Sequence, residues 1–303
     1  MVKSMYAAIS GLRSHQSKMD VISNNIANVN TWGYKGRSAN FQDAMYQNLT
    51  NSTGGNTNAG GTGGTNSSQL GYGVNMGSIS TNFTSGSWGF TGDPLNCMID
   101  GTGFFIVGGM TGNIINGGPG IPADEIAENN MSLSRVGIFK VDNNGYLVDN
   151  SGNYIYGFTQ DTTGVIDTTT LRPIQVPVDQ DTGERYNVAT YKIGMDGVVK
   201  GVTTDNEEIT IGQIAVASVE NPNGLEQTAG YLYNIGDNAG RVVGIQTVGT
   251  TTGAILSNYL EMSNVDMATE MANMITTQRG YQANTKIITV TDEMLEQLIA
   301  MKR

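Results

Sequence analysis

Cysteine and histidine are almost missing from these 303 residues, with one of each, Cys97 and His15. A single cysteine excludes an internal disulfide and any cysteine-cluster metal site. A single histidine excludes the usual two-histidine metal sites. A Ser-His-Asp triad would have to be built on His15, which falls inside a predicted N-terminal helix, and an exposed or interfacial histidine is the simpler reading. Basic residues are also few: 16 Lys and Arg stand against 27 Asp and Glu, a net charge of −11. The longest basic run is Lys302-Arg303. Phosphate binding needs clustered positive charge, so nucleic acid is excluded as a partner. No stretch approaches the roughly 18 apolar residues of a spanning helix, so no membrane insertion is expected. Residues 1–22 lack an unbroken apolar core and a small-residue cleavage site, and they carry Lys3, Arg13, Lys18 and Asp20. That is no signal peptide, and a cytoplasmic protein, or one exported without a cleaved leader, is expected.

Charged residues make up only 14% of the chain, and Asn, Thr, Ser and Gly fill the gap. Glycine, at 41 residues, is about double its usual share of roughly 7%. Glycine beside Asn, Asp and Thr marks tight turns, the signature of a β-rich protein. From residue 70 to about 248 the pattern is one of short apolar or alternating runs between turn signals. Phe104-Phe105-Ile106-Val107 is one such run. Residues 136–141, the turn Asp142-Asn143-Asn144-Gly145 and Tyr146-Leu147-Val148 read as a β-hairpin. Residues 191–194 and Val198-Val199, joined by Met195-Asp196-Gly197, form another. Residues 209–219 are the most continuous strand candidate. Residues 48–68 are almost wholly Asn, Ser, Thr and Gly, cannot bury a core, and are expected to be flexible or surface-wrapped. Residues 108–130, with Asp124, Glu125 and Glu128, and residues 165–185 read as irregular loops.

The two ends carry a different period. Met5, Ile9, Leu12, Met19, Ile22, Ile26 and Val29 fall at helical spacings on one face, and the helix is expected to end near Asn30. At the other end Met267, Met274, Tyr281, Ile288 and Leu295 recur every seven residues, with Ile287, Met294 and Met301 beside them. Met271, Gln278, Thr285, Asp292 and Ile299 form a mixed seam between the two. Ser263 and Asp266 resemble a capping box before this helix. Roughly 35 residues of helix are about 50 Å long. Two such helices cannot bury a wide apolar stripe by pairing only with each other, and other copies of the chain are the natural source of further helices. The expected assembly interface comprises Met5, Ile9, Leu12, Met19, Ile22, Asn24, Asn25, Ile26 and Asn28 with Met267, Met271, Met274, Gln278, Tyr281, Ile288 and Leu295. The asparagines have two readings, helix-terminating turn chemistry and amide bonds to a neighbouring terminal helix.

The fold expected is α+β. N- and C-terminal α-helices form a coiled-coil-like inner domain (1–47 and 253–303), a Gly/Asn/Thr linker spans 48–69, and a mainly antiparallel β domain spans 70–252. Catalytic chemistry finds no support. Asp142-Asn143-Asn144-Gly145 resembles the start of a calcium loop, but Tyr146 and Leu147 stand where oxygen ligands belong. Gly101-Thr102-Gly103 precedes a strand and lacks the third glycine of a nucleotide loop. Adjacent Glu207 and Glu208 point to opposite faces of a strand and make no acid/base couple. No enzyme activity, cofactor or metal is expected.

Residues 19–31, Met-Asp-Val-Ile-Ser-Asn-Asn-Ile-Ala-Asn-Val-Asn-Thr, followed by Gly33-Tyr34-Lys35, closely resemble the signature of bacterial flagellar rod and hook proteins. Asn264-Val265-Asp266 and residues 277–286, Thr-Gln-Arg-Gly-Tyr-Gln-Ala-Asn-Thr-Lys, are similar to that family's C-terminal signature. Residues 95–105 are similar to the motif that opens its β domain, and residues 71–88 to the segment just before it. The resemblance implies a chain exported through the flagellar type III apparatus that polymerises into a tube, with terminal helices lining the channel and β domains outside. The residue 50–69 linker is similar to that of hook proteins, so a hook subunit acting as a flexible joint between rod and filament is expected. The distal rod protein is the alternative. Implied partners are further copies of the chain, a rod protein, the hook cap, the hook–filament junction protein and the export apparatus. The implied place is the extracellular hook or basal body.

Overall fold

The computed structural model describes residues 2–55, 63–110, 115–116, 131–160, 166–167, 170–178, 185–204, 206–228, 230–240, 242–246 and 252–301. Most of the loop expected at 108–130, including Asp124, Glu125 and Glu128, and much of 165–185 lie outside them. Two helices flank a β-rich middle: α1, Val2–Ala27, and α2, Met267–Met301. Every strand pairing among the described residues is antiparallel. The chain forms two compact units, one of residues 1–29, 36–82 and 265–303 and one of residues 30–35 and 83–264.

In the helical unit, α1 packs against α2. Gly11 faces Asn284 and Gly280 faces His15, so positions rise along one helix as they fall along the other, and the pair is antiparallel. The strand Arg37–Asp43 pairs with Val74–Thr81, with a bulge between Asn40 and Phe41. Tyr46–Thr50 pairs with Ser68–Gly71, and Thr53 bridges Thr65. The Asn/Gly/Thr stretch therefore starts and ends as an exposed hairpin. Composition placed residues 70–82 with the β domain, but strand pairing and the Ser14 bond to Val74 group them with the helices. Residues 254–257 and 259–261 instead pair with Cys97–Asp100 and Trp88–Phe90, inside the β unit.

The β unit is organised on the strand Phe104–Gly108, which pairs with Met131–Ser134, Tyr154–Thr159 and Val216–Val219. Its side chains alternate between two cores. Phe104 and Ile106 join a cluster with Leu133, Tyr156 and Phe158, while Phe105 and Val107 join one with Phe139, Ile155 and Ile214. A strand buried on both faces reads as a continuous apolar run instead of an alternating one. The hairpins form where the turn residues placed them: Phe139–Val141 pairs with Leu147–Asp149 across Gly145, and Val188–Ile193 with Val198–Thr203 across Gly197. Residues 209–219 are not one strand. They break at Ala215 into Glu208–Ile214 and Val216–Val219, because the halves pair with different neighbours, Tyr154–Thr159 and Phe104–Gly108. Cys97 is fully buried, and burial pushes its thiol well up, which leaves it chemically inert.

Candidate assembly surface

Small residues mark where the two helices meet: Gly11 lies against Asn284 and Gly280 against His15. On α1, Ala8, Gly11, Ser14, Ile22 and Asn25 are buried, and on α2 the buried residues are Thr277 and Thr291. Thr277 Oγ1 donates to Asn273 O at 2.7 Å, and Thr291 Oγ1 donates to Ile287 O and Ile288 O at 2.9 and 2.8 Å. Bonding back to the preceding turn satisfies each buried hydroxyl within α2 itself. A Cβ at Gly280 would lie 2.7 Å from His15 Cε1, so only glycine fits there.

The predicted interface residues divide by environment. Met274, Tyr281, Ile288 and Leu295 are half-buried, spaced with Thr277, Asn284 and Thr291 as a four-three alternation that runs along α1. Met5, Ile9, Leu12, Met19 and Ile26 are half-buried and Ile22 is buried. Met267, Met271 and Gln278 are exposed. So are Ile275, Ile287, Val290, Met294, Leu298, Ile299 and Met301. A helix with large apolar residues on sides its own chain leaves uncovered has the composition of an interface.

The asparagines fall into two groups. Asn25 is buried, donates through Nδ2 to Arg37 O at 2.8 Å and accepts from Arg37 N at 3.0 Å through Oδ1. Its amide ties the helix end to the strand that follows, within the chain. Asn28 Nδ2 donates to Asn24 O and Oδ1, at 3.0 and 2.6 Å, which is local turn chemistry. The capping box also differs from expectation, because Asp266 is itself the cap: its oxygens accept from Ala268 N and Thr269 N, and the Thr269 hydroxyl holds its carboxyl below the usual range. A residue flanking the first helical position can bond the free amides directly.

Sequence periodicity gave no hint of the most polar feature of the β unit. Glu261 accepts from Lys35 Nζ at 2.7 Å through Oε1 and from Arg135 Nε at 2.6 Å through Oε2, with the three side chains 1–4% exposed. Two cations face one carboxylate, and backbone carbonyls take up the excess. Lys35 Nζ also donates to Thr84 O at 2.9 Å, and Arg135 donates to Ile99 O, Gly101 O and Gly103 O. Gly86 N donates to Glu261 Oε1 as well. Burial alone would raise the Glu261 carboxyl, but Arg135 and then Lys35 outweigh it and hold it below the usual range. Gly33 is part of the same joint: its N–H donates to Glu261 O at 2.8 Å, its φ is 66°, and a Cβ would meet Val136 Cγ2 at 2.6 Å. The Gly33-Tyr34-Lys35 motif thus stitches five distant segments into one buried cluster. Its chemistry is structural. Among the described residues no cluster of His, Cys, Asp and Glu could hold a metal ion.

The two helices and this joint coincide with the segments matched in known families. Residues 5–35 match the family described as Flagella basal body rod protein, and residues 256–301 match Flagellar basal body rod FlgEFG protein C-terminal. The chain is 35% identical to the flagellar basal-body rod protein FlgG of Bacillus subtilis (strain 168), with 100% of both chains covered. It is 32% identical to the FlgG of Buchnera aphidicola subsp. Schizaphis graminum (strain Sg), over 98% of this chain and 99% of that one. It is also 26% identical to the flagellar hook protein FlgE of Borreliella burgdorferi (strain ATCC 35210 / DSM 4680 / CIP 102532 / B31), with all of both chains covered. With the end-to-end match, the helices at both termini and the glycine–lysine turn between them, the chain belongs to the bacterial flagellar rod and hook protein family, as a structural protein and not an enzyme.

Proposed function

We propose that this chain is the distal rod subunit of the flagellar basal body, which polymerises into a straight tube that passes torque outward. The observation that carries this over the hook reading is length. The alignment with the Bacillus rod protein takes 305 positions for 303 residues. The alignment with the Borreliella hook protein takes 447, so at least 144 of its positions have no residue of this chain (447 against 303). The composition of the 50–69 linker, which favours hook, is weaker support, because low-complexity segments change without changing the fold.

In this reading the chain leaves the cell through the flagellar export apparatus and packs its terminal helices against those of neighbouring copies. That coiled-coil-like layer lines the channel and covers the apolar side chains a single copy leaves open, with the β units outside. Met267, Met271 and Gln278 belong to this contact. Met274, Tyr281 and Ile288 serve it indirectly, by fixing α2 on α1. Its neighbours along the axis are other rod proteins and the hook. In the hook reading they are the cap and the hook–filament junction protein.

Electron microscopy of tubes built from the purified chain, or of basal bodies from cells lacking it, tests the reading. Straight, stiff tubes and loss of motility on deletion are expected. Curved, bendable tubes would move the assignment to the hook, and persistent monomers with unimpaired motility would defeat both.

A further inference from the structure

Helix α1 meets α2 on one side only. At 100° per residue, Tyr6, Ile9, Arg13 and Ser17 lie about 170° around the helix from Ala8, Gly11 and His15. Between this second side and the strand Val74–Thr81 runs an open groove walled by Tyr6, Ile9, Arg13, Val74, Asn75 and Met76. Its floor is Ser10, Ser14 and Ser17, and each hydroxyl is already spent. Ser10 Oγ donates to Ala7 O at 2.8 Å and accepts from Val74 N at 3.3 Å. Ser14 Oγ donates to Val74 O at 3.3 Å, and Ser17 Oγ donates to Arg13 O at 3.2 Å. An apolar occupant would strand no serine hydroxyl there, and an unpaired buried donor is what usually opposes such docking.

The chain carries a fitting occupant. Ile287, Val290, Met294, Leu298 and Met301 are exposed and fall in one stripe about 80° wide, at the spacing by which an amphipathic helix enters a groove. The same copy cannot place this stripe in its own groove, because its α2 already lies against the other side of α1. A second copy can. Charge agrees: residues 2–19 hold Lys3, Arg13 and Lys18 and no acid, while residues 287–301 hold Asp292, Glu293 and Glu296 and no base. None of the ion pairs among the described residues uses any of the six.

We propose that the groove between α1 and the strand Val74–Thr81 of one copy receives residues 287–301 of α2 from a second copy, apolar stripe inward, with Arg13 against Glu293. This rests on the polymer reading above and names the two surfaces that meet. Because groove and stripe are different surfaces, the contact is heterologous, the class that can repeat without closing, as an open helical polymer requires.

The test places the photo-crosslinking amino acid benzoylphenylalanine at Tyr6 of the full chain, in an equal mixture of isotopically light and heavy copies concentrated to assembly. The expected result is light–heavy adducts on residues 287–301. Leu298→Glu should cut their yield by roughly tenfold or more, as loss of one buried leucine predicts. Arg13→Glu and Glu293→Lys should each lower the yield, and the double variant should restore it. Tubes that form with adducts only elsewhere overturn the proposal and leave the polymer reading standing. Neither tubes nor light–heavy adducts would overturn both.

Discussion

In the β unit Phe105, Phe139 and Tyr156 are at most 1% exposed, whereas on α2 Ile287, Met294 and Leu298 are 41–44% exposed. Both regions have large apolar side chains, so hydrophobicity does not separate them. They differ in what lies opposite. A sheet with layers on both faces closes over its own residues, while α2 meets α1 along one side and leaves large apolar residues uncovered on its others. The β unit buries its large apolar side chains within itself, and the helical unit leaves part of its own exposed.

The sharpest way to break this comparison is at the buried ion cluster. Glu261→Gln leaves Lys35 and Arg135 without a carboxylate and should destabilise the β unit by about 3–5 kcal/mol. Both tryptophans, Trp32 and Trp88, lie in that unit, so urea unfolding followed by tryptophan fluorescence reads it directly. The same cluster gives the unit an acid limit. The Glu261 carboxyl sits below its usual value in the folded state, so its contribution is complete above the usual carboxylate range and is lost as pH falls through the lowered value.

The helical unit should respond to smaller changes. Gly280→Ala gains about 1 kcal/mol of helix propensity but drives a methyl into His15 at a cost of about 1–3 kcal/mol. Helical circular dichroism should therefore melt earlier while tryptophan fluorescence stays put. If both signals move together, the units are not separable.

A weaker effect is expected from acid on the helix pair. Burial first, and then Lys18, lower the His15 imidazole below its ordinary value, and its Nδ1 is buried without a hydrogen-bond partner. A group with a lowered folded value favours the neutral form. The pair should weaken as pH falls below about 6.5 and stop weakening below the lowered value. His15→Gln should flatten that dependence in a pH series of helix melts. The smallest effect is expected for Lys200→Ala. Its pairing with Glu208 at 3.6 Å is solvent-exposed and worth at most about 1 kcal/mol, so the urea midpoint of the β unit should hardly shift.

Much of this was legible in the sequence wherever the cause is local. The Asp142–Gly145 and Met195–Gly197 turns form because glycine can take the positive φ they require, 71° at Gly145 and 76° at Gly197. The seven-residue recurrence of Met274, Tyr281, Ile288 and Leu295 marked the side of α2 that meets α1. It did not mark the residues that pack most tightly. Thr277 and Thr291 count as polar in any periodicity, and their burial depends on hydroxyls that bond to their own helix. The break at Ala215 was equally hidden, because both halves are good strand sequence and only their different partners divide them.

By itself, the sequence determined that the ends are helices, that the middle is antiparallel β, that no internal disulfide, cysteine-cluster site or two-histidine site could be built from one Cys and one His, and which family signature the ends carry. Each follows from residue type, count or short-range spacing, which the chain sets before it folds. Only the tertiary structure decided that Lys35, Arg135 and Glu261 meet, that Asn25 is committed to Arg37, and which side of each helix stays open. Lys35 and Glu261 are 226 positions apart, and no local propensity couples residues at that distance. What brings them together is the closing of the β unit around one carboxylate, where burial makes an unpaired cation too costly to leave alone.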